Sequence, residues 1–268
     1  MIYSIFDIVK ILPKTNCGEC GYKTCMAFAI AVIKNGEPLE KCRYLPKEAQ
    51  NIATAIKEQQ KSGTGSSREA LETSKSAMRK KITPLDFKSL AAGLDAKYEE
   101  HDGNGCLIID YFGKSVRIFK DRILYPADMN VDPWDDILLY NYVYSRGNAA
   151  PTGRWISFNE LPGALSETLG LNLTPLTMMD CGDMTISDLQ RDAGKIGAQP
   201  VLIETAADIA LYLKPLGRIP ILLLYYRAEP EEGVKAQLQF LFDESIGSYL
   251  DFEGAFFLVN RIKGMLAG

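Results

Sequence analysis

Histidine is almost missing from these 268 residues: one occurs, at position 101. Catalysis that pairs serine or cysteine with a histidine base is therefore improbable. No run of 18 or more apolar residues exists, which excludes a membrane-spanning helix. The apolar start, Ile2 to Leu12, is interrupted by Asp7 and Lys10 and is followed by no small-residue cleavage site, so it does not read as a signal peptide. The Gly-x4-Gly-Lys-Ser/Thr pattern of a nucleotide-phosphate loop is absent, and Gly182-Asp183 does not supply it. An excess of positive charge is also lacking. The net charge is −4, which gives no reason to expect nucleic acid as a partner. A cytoplasmic chain is the expectation.

Hydrophobic residues make up 47% and charged residues 24%, so the chain can bury a sizeable core. The charge is unevenly spread. Residues 1–81 carry 14 Lys/Arg against 8 Asp/Glu, a net of +6, and residues 82–268 carry 16 against 26, a net of −10. Gln59 to Ser67 is polar and rich in Gly and Ser, and a basic segment follows, from Arg68 to Lys81. This predicts a module over 1–60, a linker with a basic helical segment over 61–81, and a domain over 82–268.

In the first module the pattern predicts helices over Ile2–Leu12 and Thr24–Lys34, the second stopped by Gly36, and a third starting at Pro46. In the second, Gly105–Tyr111, Ser115–Phe119 and Ile123–Tyr125 read as a strand meander turning at Gly103 and Gly113. Asp132-Pro133 reads as the cap and first position of a helix running to Arg146. Ser187–Ile196 and Phe252–Leu266 read as helices. Asp208–Lys214 and Ile219–Tyr226 read as strands turning at Pro215-Leu216-Gly217. Lys235–Phe242 is ambiguous. Without regular βαβ alternation, the class is α+β: a small helical four-cysteine module followed by a larger mixed domain.

Six cysteines are present, and four of them fall in the first 42 residues as Cys17-x2-Cys20-x4-Cys25-x16-Cys42. In a reducing compartment such a cluster points to metal. Four thiolates hold either a tetrahedral zinc or an iron–sulfur cluster. Structural zinc usually takes two close pairs. Here there is one pair, a third cysteine five residues on and a distant fourth, which suits a wider cluster with one thiolate per iron corner. Gly18 and Gly21 let the backbone pass close enough to donate N–H groups to sulfur.

Leu12-Pro13-Lys14-Thr15-Asn16-Cys17-Gly18-Glu19-Cys20-Gly21-Tyr22-Lys23-Thr24-Cys25-Met26-Ala27-Phe28-Ala29 resembles the N-terminal iron–sulfur segment of the corrinoid/iron–sulfur protein large subunit. Related segments occur in electron-transport subunits of the Rnf type. The resemblance, over about 45 residues, implies a low-potential four-iron, four-sulfur (4Fe-4S) cluster ligated by Cys17, Cys20, Cys25 and Cys42. It stops there, since neither the barrel nor the cobalamin domain of that family follows. Further on, Leu138–Tyr142, Gly153-Arg154-Trp155-Ile156-Ser157-Phe158-Asn159-Glu160-Leu161-Pro162-Gly163, Pro220–Tyr226 and Leu241-Phe242-Asp243-Glu244-Ser245 are similar to the domain of unknown function DUF3786. That resemblance implies an architecture and an anaerobic lifestyle, and no established activity.

Other candidates read as structural first. His101 sits in a polar turn without a cobalamin signature. Trp155, Phe158 and Glu160 could line a pocket, but aromatics by default fill cores. Tyr140 and Tyr144 share one helical face, again core by default. Asp243, Glu244, Asp251 and Glu253 could bind a hard cation or do acid/base work, but acidic loop residues are usually only solvated. Cys106 and Cys181 read as small buried hydrophobes. The expectation is an electron carrier that delivers low-potential electrons to a redox protein, a corrinoid protein among the candidates. An accessory or maturation protein with a structural cluster is the alternative, and a true enzyme has least support because no nucleophile or base stands out.

Overall fold

The computed structural model describes all residues except 1–2, 47–48, 63–66, 102, 162–177, 230, 232 and 268. Residues 63–66 of the Gly/Ser stretch expected as a linker, and the Pro162-Gly163 end of the aromatic motif, lie outside the described residues, whereas Gln59 to Ser62, expected to be flexible, are helical. The chain forms two compact units, Met1–Ala77 and Met78–Gly268.

The first unit is helical. α1 (Ile5–Ile11) starts from a reciprocal Ser4/Asp7 capping box and ends at Leu12, whose extended backbone suits the proline that follows. α2 (Cys25–Asn35) starts from the Thr24 hydroxyl, which accepts from the Ala27 N–H, and stops at Gly36 in the left-handed region, φ 75°. A single turn, Leu39–Lys41, leads to Cys42. α3 runs from Gln50 to Ser62, and before it the Ala49 N–H closes a turn on the Pro46 carbonyl at 3.0 Å. Ile8, Leu12, Phe28, Ala29, Val32, Leu39 and Ile56 form the core. Two glutamines on α3 fasten it to backbone. Gln59 pairs with both backbone groups of Tyr3, at 2.7 and 2.9 Å, and Gln60 donates to the Val32 and Glu37 carbonyls at the C-terminal end of α2. α4 (Ser67–Ile82) carries the basic segment.

The second unit is α+β. Among the described residues its helices are α5 (Phe87–Leu90), α6 (Asp135–Tyr144), α7 (Ile186–Lys195) and α8 (Phe252–Ala267). Its strands are β1 (Lys97–His101), β2 (Asn104–Tyr111), β3 (Lys114–Ile118), β4 (Ile123–Leu124), β5 (Trp155–Ile156), β6 (Met178–Gly182), β7 (Gln199–Pro200), β8 (Ile209–Leu216), β9 (Ile219–Tyr226) and β10 (Ala236–Asp243). Among the described residues they form one antiparallel sheet ordered β4-β3-β2-β8-β9-β10-β5, with β1 also on β2, β6 on β10 and β7 on β8. β9 is buried along nearly all its length, as its unbroken apolar sequence requires at the centre of a sheet.

Three expectations are corrected. α6 starts at Asp135, because the Asp132 carboxylate accepts from the Trp134 N–H and holds residues 132–134 in a turn. β8 continues through Pro215 to Leu216 before turning at Gly217. A register shift between Leu213 and Leu216 absorbs the proline, whose carbonyl accepts from the Phe112 N–H. Tyr144 is 41% exposed under the Lys81 ammonium, so only Tyr140 is core. The ambiguous segment at 235–242 is strand, β10.

Candidate functional site: the four-cysteine loop

The loop from Pro13 to Thr24 is built of left-handed turns. Lys14 and Asn16 hold φ of 58° and 51°, Gly18 and Gly21 hold 77° and 85°, and the Gly21 N–H closes a turn on the Gly18 carbonyl at 2.9 Å. Glycine takes such φ values without strain and asparagine tolerates them. This winding points the loop back onto the start of α2. Asn16 fixes the junction, its Oδ1 accepting from the Cys25 N–H at 2.8 Å.

Cys17 and Cys20 lie on the loop, Cys25 is the first residue of α2, and Cys42 follows the turn after α2. All four line one cavity, together with Leu12, Gly18, Tyr22, Phe28 and Tyr44. Cys17 is exposed, Cys20 and Cys25 are half-buried and Cys42 is buried. Burial pushes the Cys42 thiol up, and the nearby Cys20, Cys25 and Cys17 push it the same way, while the Tyr44 backbone N–H pulls it down. α2 starts at the cavity, so the positive end of its dipole favours negative charge gathered there. Among the described residues, no group of three or more His, Cys, Asp or Glu side chains is arranged to hold a single metal ion.

Polar contacts brace the rim. The Tyr44 hydroxyl donates to Glu19 at 2.7 Å, and Arg43 approaches the same carboxylate at 3.7 Å. Tyr22 packs on Phe28 with ring centroids 5.6 Å apart, under the Lys41 ammonium. Lys41 also donates to Glu37 at 3.1 Å, which holds the Glu37 carboxyl below its usual range.

The other candidates dissolve into structure. Phe158 is fully buried against Phe252, Phe242 and Phe256, and Trp155 meets the Tyr212 ring edge-on. Glu160 is the acidic half of a capping box with Ser157. Asp243 is fully buried and accepts from the Thr152, Gly153 and Ser245 backbone N–H groups at 2.7–3.0 Å. Glu244 pairs with Arg154 at 2.6 Å, and Asp251 accepts from the Gly254 N–H. No cation site forms from these carboxylates among the described residues. His101 is exposed at the end of β1, with its ring 6.2 Å from that of Phe119. Cys106 and Cys181 are buried, and burial pushes the Cys181 thiol up to about 11. Sequence reasoning missed a buried group on α6. Asp135 accepts from Tyr111 at 2.7 Å and from Arg261 at 3.0 Å, tying β2, α6 and α8 together. Its one sequence signal was a second acidic residue in the first turn of α6.

Comparison with known proteins matches two separate parts of the chain. The family described as "Putative Fe-S cluster" matches residues 12–44. The gamma subunit of the acetyl-CoA decarbonylase/synthase complex of Methanocaldococcus jannaschii is 46% identical over 50 residues, which are 18% of this chain and 10% of that subunit. The corrinoid/iron-sulfur protein large subunit of Moorella thermoacetica is 43% identical over 49 residues, 18% of this chain and 11% of that subunit. A gamma 2 subunit of Methanosarcina thermophila is 52% identical over 48 residues, 18% of this chain and 10% of that subunit. The chain thus spans about a tenth of the length of these relatives, and its "Putative Fe-S cluster" segment is homologous to a segment of each. No helix among the described residues is long and apolar enough to cross a membrane. No solved structure matches. The family model for the domain of unknown function DUF3786 covers residues 86–265, more than half of the sequence and nearly all of the second unit, and the chain belongs to that family.

Proposed function

We propose that Cys17, Cys20, Cys25 and Cys42 hold a four-iron, four-sulfur cluster and that the protein is an electron carrier serving a redox partner, a corrinoid protein being the candidate its relatives suggest. The observation that carries this reading is the convergence of four cysteines from three separate segments on one cavity. The donor set fits. It is all thiol, and no histidine or carboxylate lines the cavity except Glu19, which Arg43 and Tyr44 engage. A single zinc would need four sulfurs about 2.3 Å from one point. One close pair, a third cysteine five residues on and a distant fourth suit the wider group instead. Once bound, such a group takes up and releases one electron.

The chain's own part is to tune and shelter that site. Cys42 and Phe28 close it from the core side, where low dielectric disfavours added charge. The start of α2 and the Tyr44 N–H work the other way, stabilising charge on sulfur. Cys17 leaves one edge open to solvent, as an electron carrier requires. Protein purified without oxygen should be brown, with about four iron and four sulfide per chain. Cys20→Ala or Cys25→Ala should lose or degrade the chromophore. Colourless protein with one zinc per chain would end the proposal.

A further inference from the structure

Beside the cysteine cavity, α2 shows solvent an apolar stripe. Met26 and Ile30 are 41% and 42% exposed and lie one helical turn apart, and Met26 directly follows Cys25. The charges around them are not balanced. The three acidic residues between 12 and 44 are each in an ion pair: Glu19 with Arg43 at 3.7 Å, Glu37 with Lys41 at 3.1 Å and Glu40 with Lys57 at 2.5 Å. Lys14 and Lys23, both exposed on the cysteine loop, have no ion pair among the described residues. The loop therefore carries two uncompensated cations, Lys14 three residues before Cys17 and Lys23 two before Cys25, and the exposed apolar side chains begin at Met26, directly after Cys25.

We infer that this face docks an acidic electron-transfer protein. Met26 and Ile30 meet an apolar spot beside its redox centre, and Lys14 and Lys23 face its carboxylates. Apolar contact excludes water where the electron crosses, and the lysines steer the encounter and fix its orientation. The inference rests on the cluster reading above and names the chemistry of the partner. It also opposes the bulk charge. A molecule of net −4 would attract a basic partner if only total charge mattered.

The test uses the intact, anaerobically loaded protein, reduced, with two oxidised acceptors: a blue-copper protein with an acidic patch and a basic cytochrome c. One electron leaves the reduced protein and converts Cu(II) to Cu(I), or ferric to ferrous haem. Stopped-flow rates should be higher with the acidic acceptor at low salt and should fall as salt is added. In Lys14→Glu/Lys23→Glu the acidic acceptor should react about tenfold more slowly and the cytochrome faster, with iron content unchanged. Lys14→Gln/Lys23→Gln should show the same trend more weakly, and serves if the reversal variant does not load iron. Ile30→Glu should slow the acidic acceptor as well. Equal wild-type rates for the two acceptors, or lysine variants that leave the preference intact, overturn the docking face while the cluster reading stands. A wild-type protein without iron overturns both.

Discussion

Asp243 shows what one buried carboxylate does in this fold. Burial alone would raise its pKa, but hydrogen bonds from Ser245, Thr152 and Gly153 outweigh that and hold the carboxyl below its usual value of 3.8. The charge is therefore part of the native state, locking the Thr152–Gly153 turn to the end of β10. A depressed folded-state pKa contributes stability above the unfolded value, and that contribution is lost as pH falls through the folded pKa. Asp243→Asn should cost about 3 kcal/mol at neutral pH, since hydrogen bonds to a charged group are the strong ones. It should also flatten the decline of thermal stability below about pH 4. Thermal melts of both proteins between pH 3 and 7 check this, and parallel curves would mean that the Asp243 carboxyl contributes nothing to the acid decline. At this scale the two halves of the sequence differ in legibility. Cysteine at metal spacing admits few other uses, so Cys17, Cys20, Cys25 and Cys42 could be picked out from residue type alone. Asp243, Glu160 and Asp251 are carboxylates serving as backbone acceptors, a use that composition cannot tell from acid/base work. In the second unit, Asp243, Glu160 and Asp251 looked chemical and hold backbone instead.

Elements with a strong local signal were readable and those without one were not. α7 follows from the Thr185/Asp188 capping box, and the β2–β3 hairpin from Phe112-Gly113, both at positive φ. β5 and β7 are two residues each, too short to carry a period, and exist because β10 and β8 offer them a partner edge. β10 was ambiguous because its alternation, Ala236-Gln237-Leu238-Gln239, gives way to Phe240-Leu241-Phe242. The turn between β8 and β9 depends on a contact that sequence cannot show. Gly217 has φ of 45°, and a Cβ there would sit 2.0 Å from the Tyr142 hydroxyl. That hydroxyl is pinned between the Leu94 carbonyl at 2.8 Å and the Arg218 N–H at 2.9 Å, so it cannot step aside without breaking both. Gly217→Ala should destabilise the protein by about 3 kcal/mol, combining left-handed strain with the clash. Denaturant unfolding measures it. A loss under about 1 kcal/mol, the cost of backbone strain alone, would mean the Tyr142 ring moves freely.

At the scale of the molecule, the two units differ in how each reaches stability. The first is small, and its core rests on a few side chains such as Ile8, Phe28, Val32 and Ile56, the size at which a bound metal group commonly supplies part of the folding energy. The second buries a sheet, ten-stranded among the described residues, under helices and is large enough to fold alone. The polar stretch before residue 82 placed the start of this domain at 82, whereas the compact unit begins at Met78, inside α4. The four residues between are not neutral. Met78 is buried, and Arg79 lies beside the fully buried Tyr140 hydroxyl, where burial raises the Tyr140 pKa and the guanidinium works against that rise. Removing them exposes an apolar site and strips a buried hydroxyl of its charged neighbour, at a cost of about 2 kcal/mol. A fragment of residues 78–268 should therefore melt cooperatively without any iron. One of residues 82–268 should melt about 6 °C lower, since each kcal/mol shifts a domain of this size by roughly 2–4 °C. Differential scanning calorimetry of the two fragments decides the boundary. Equal melting temperatures would return it to residue 82, and two molten fragments would mean that the sheet domain draws stability from the cysteine module.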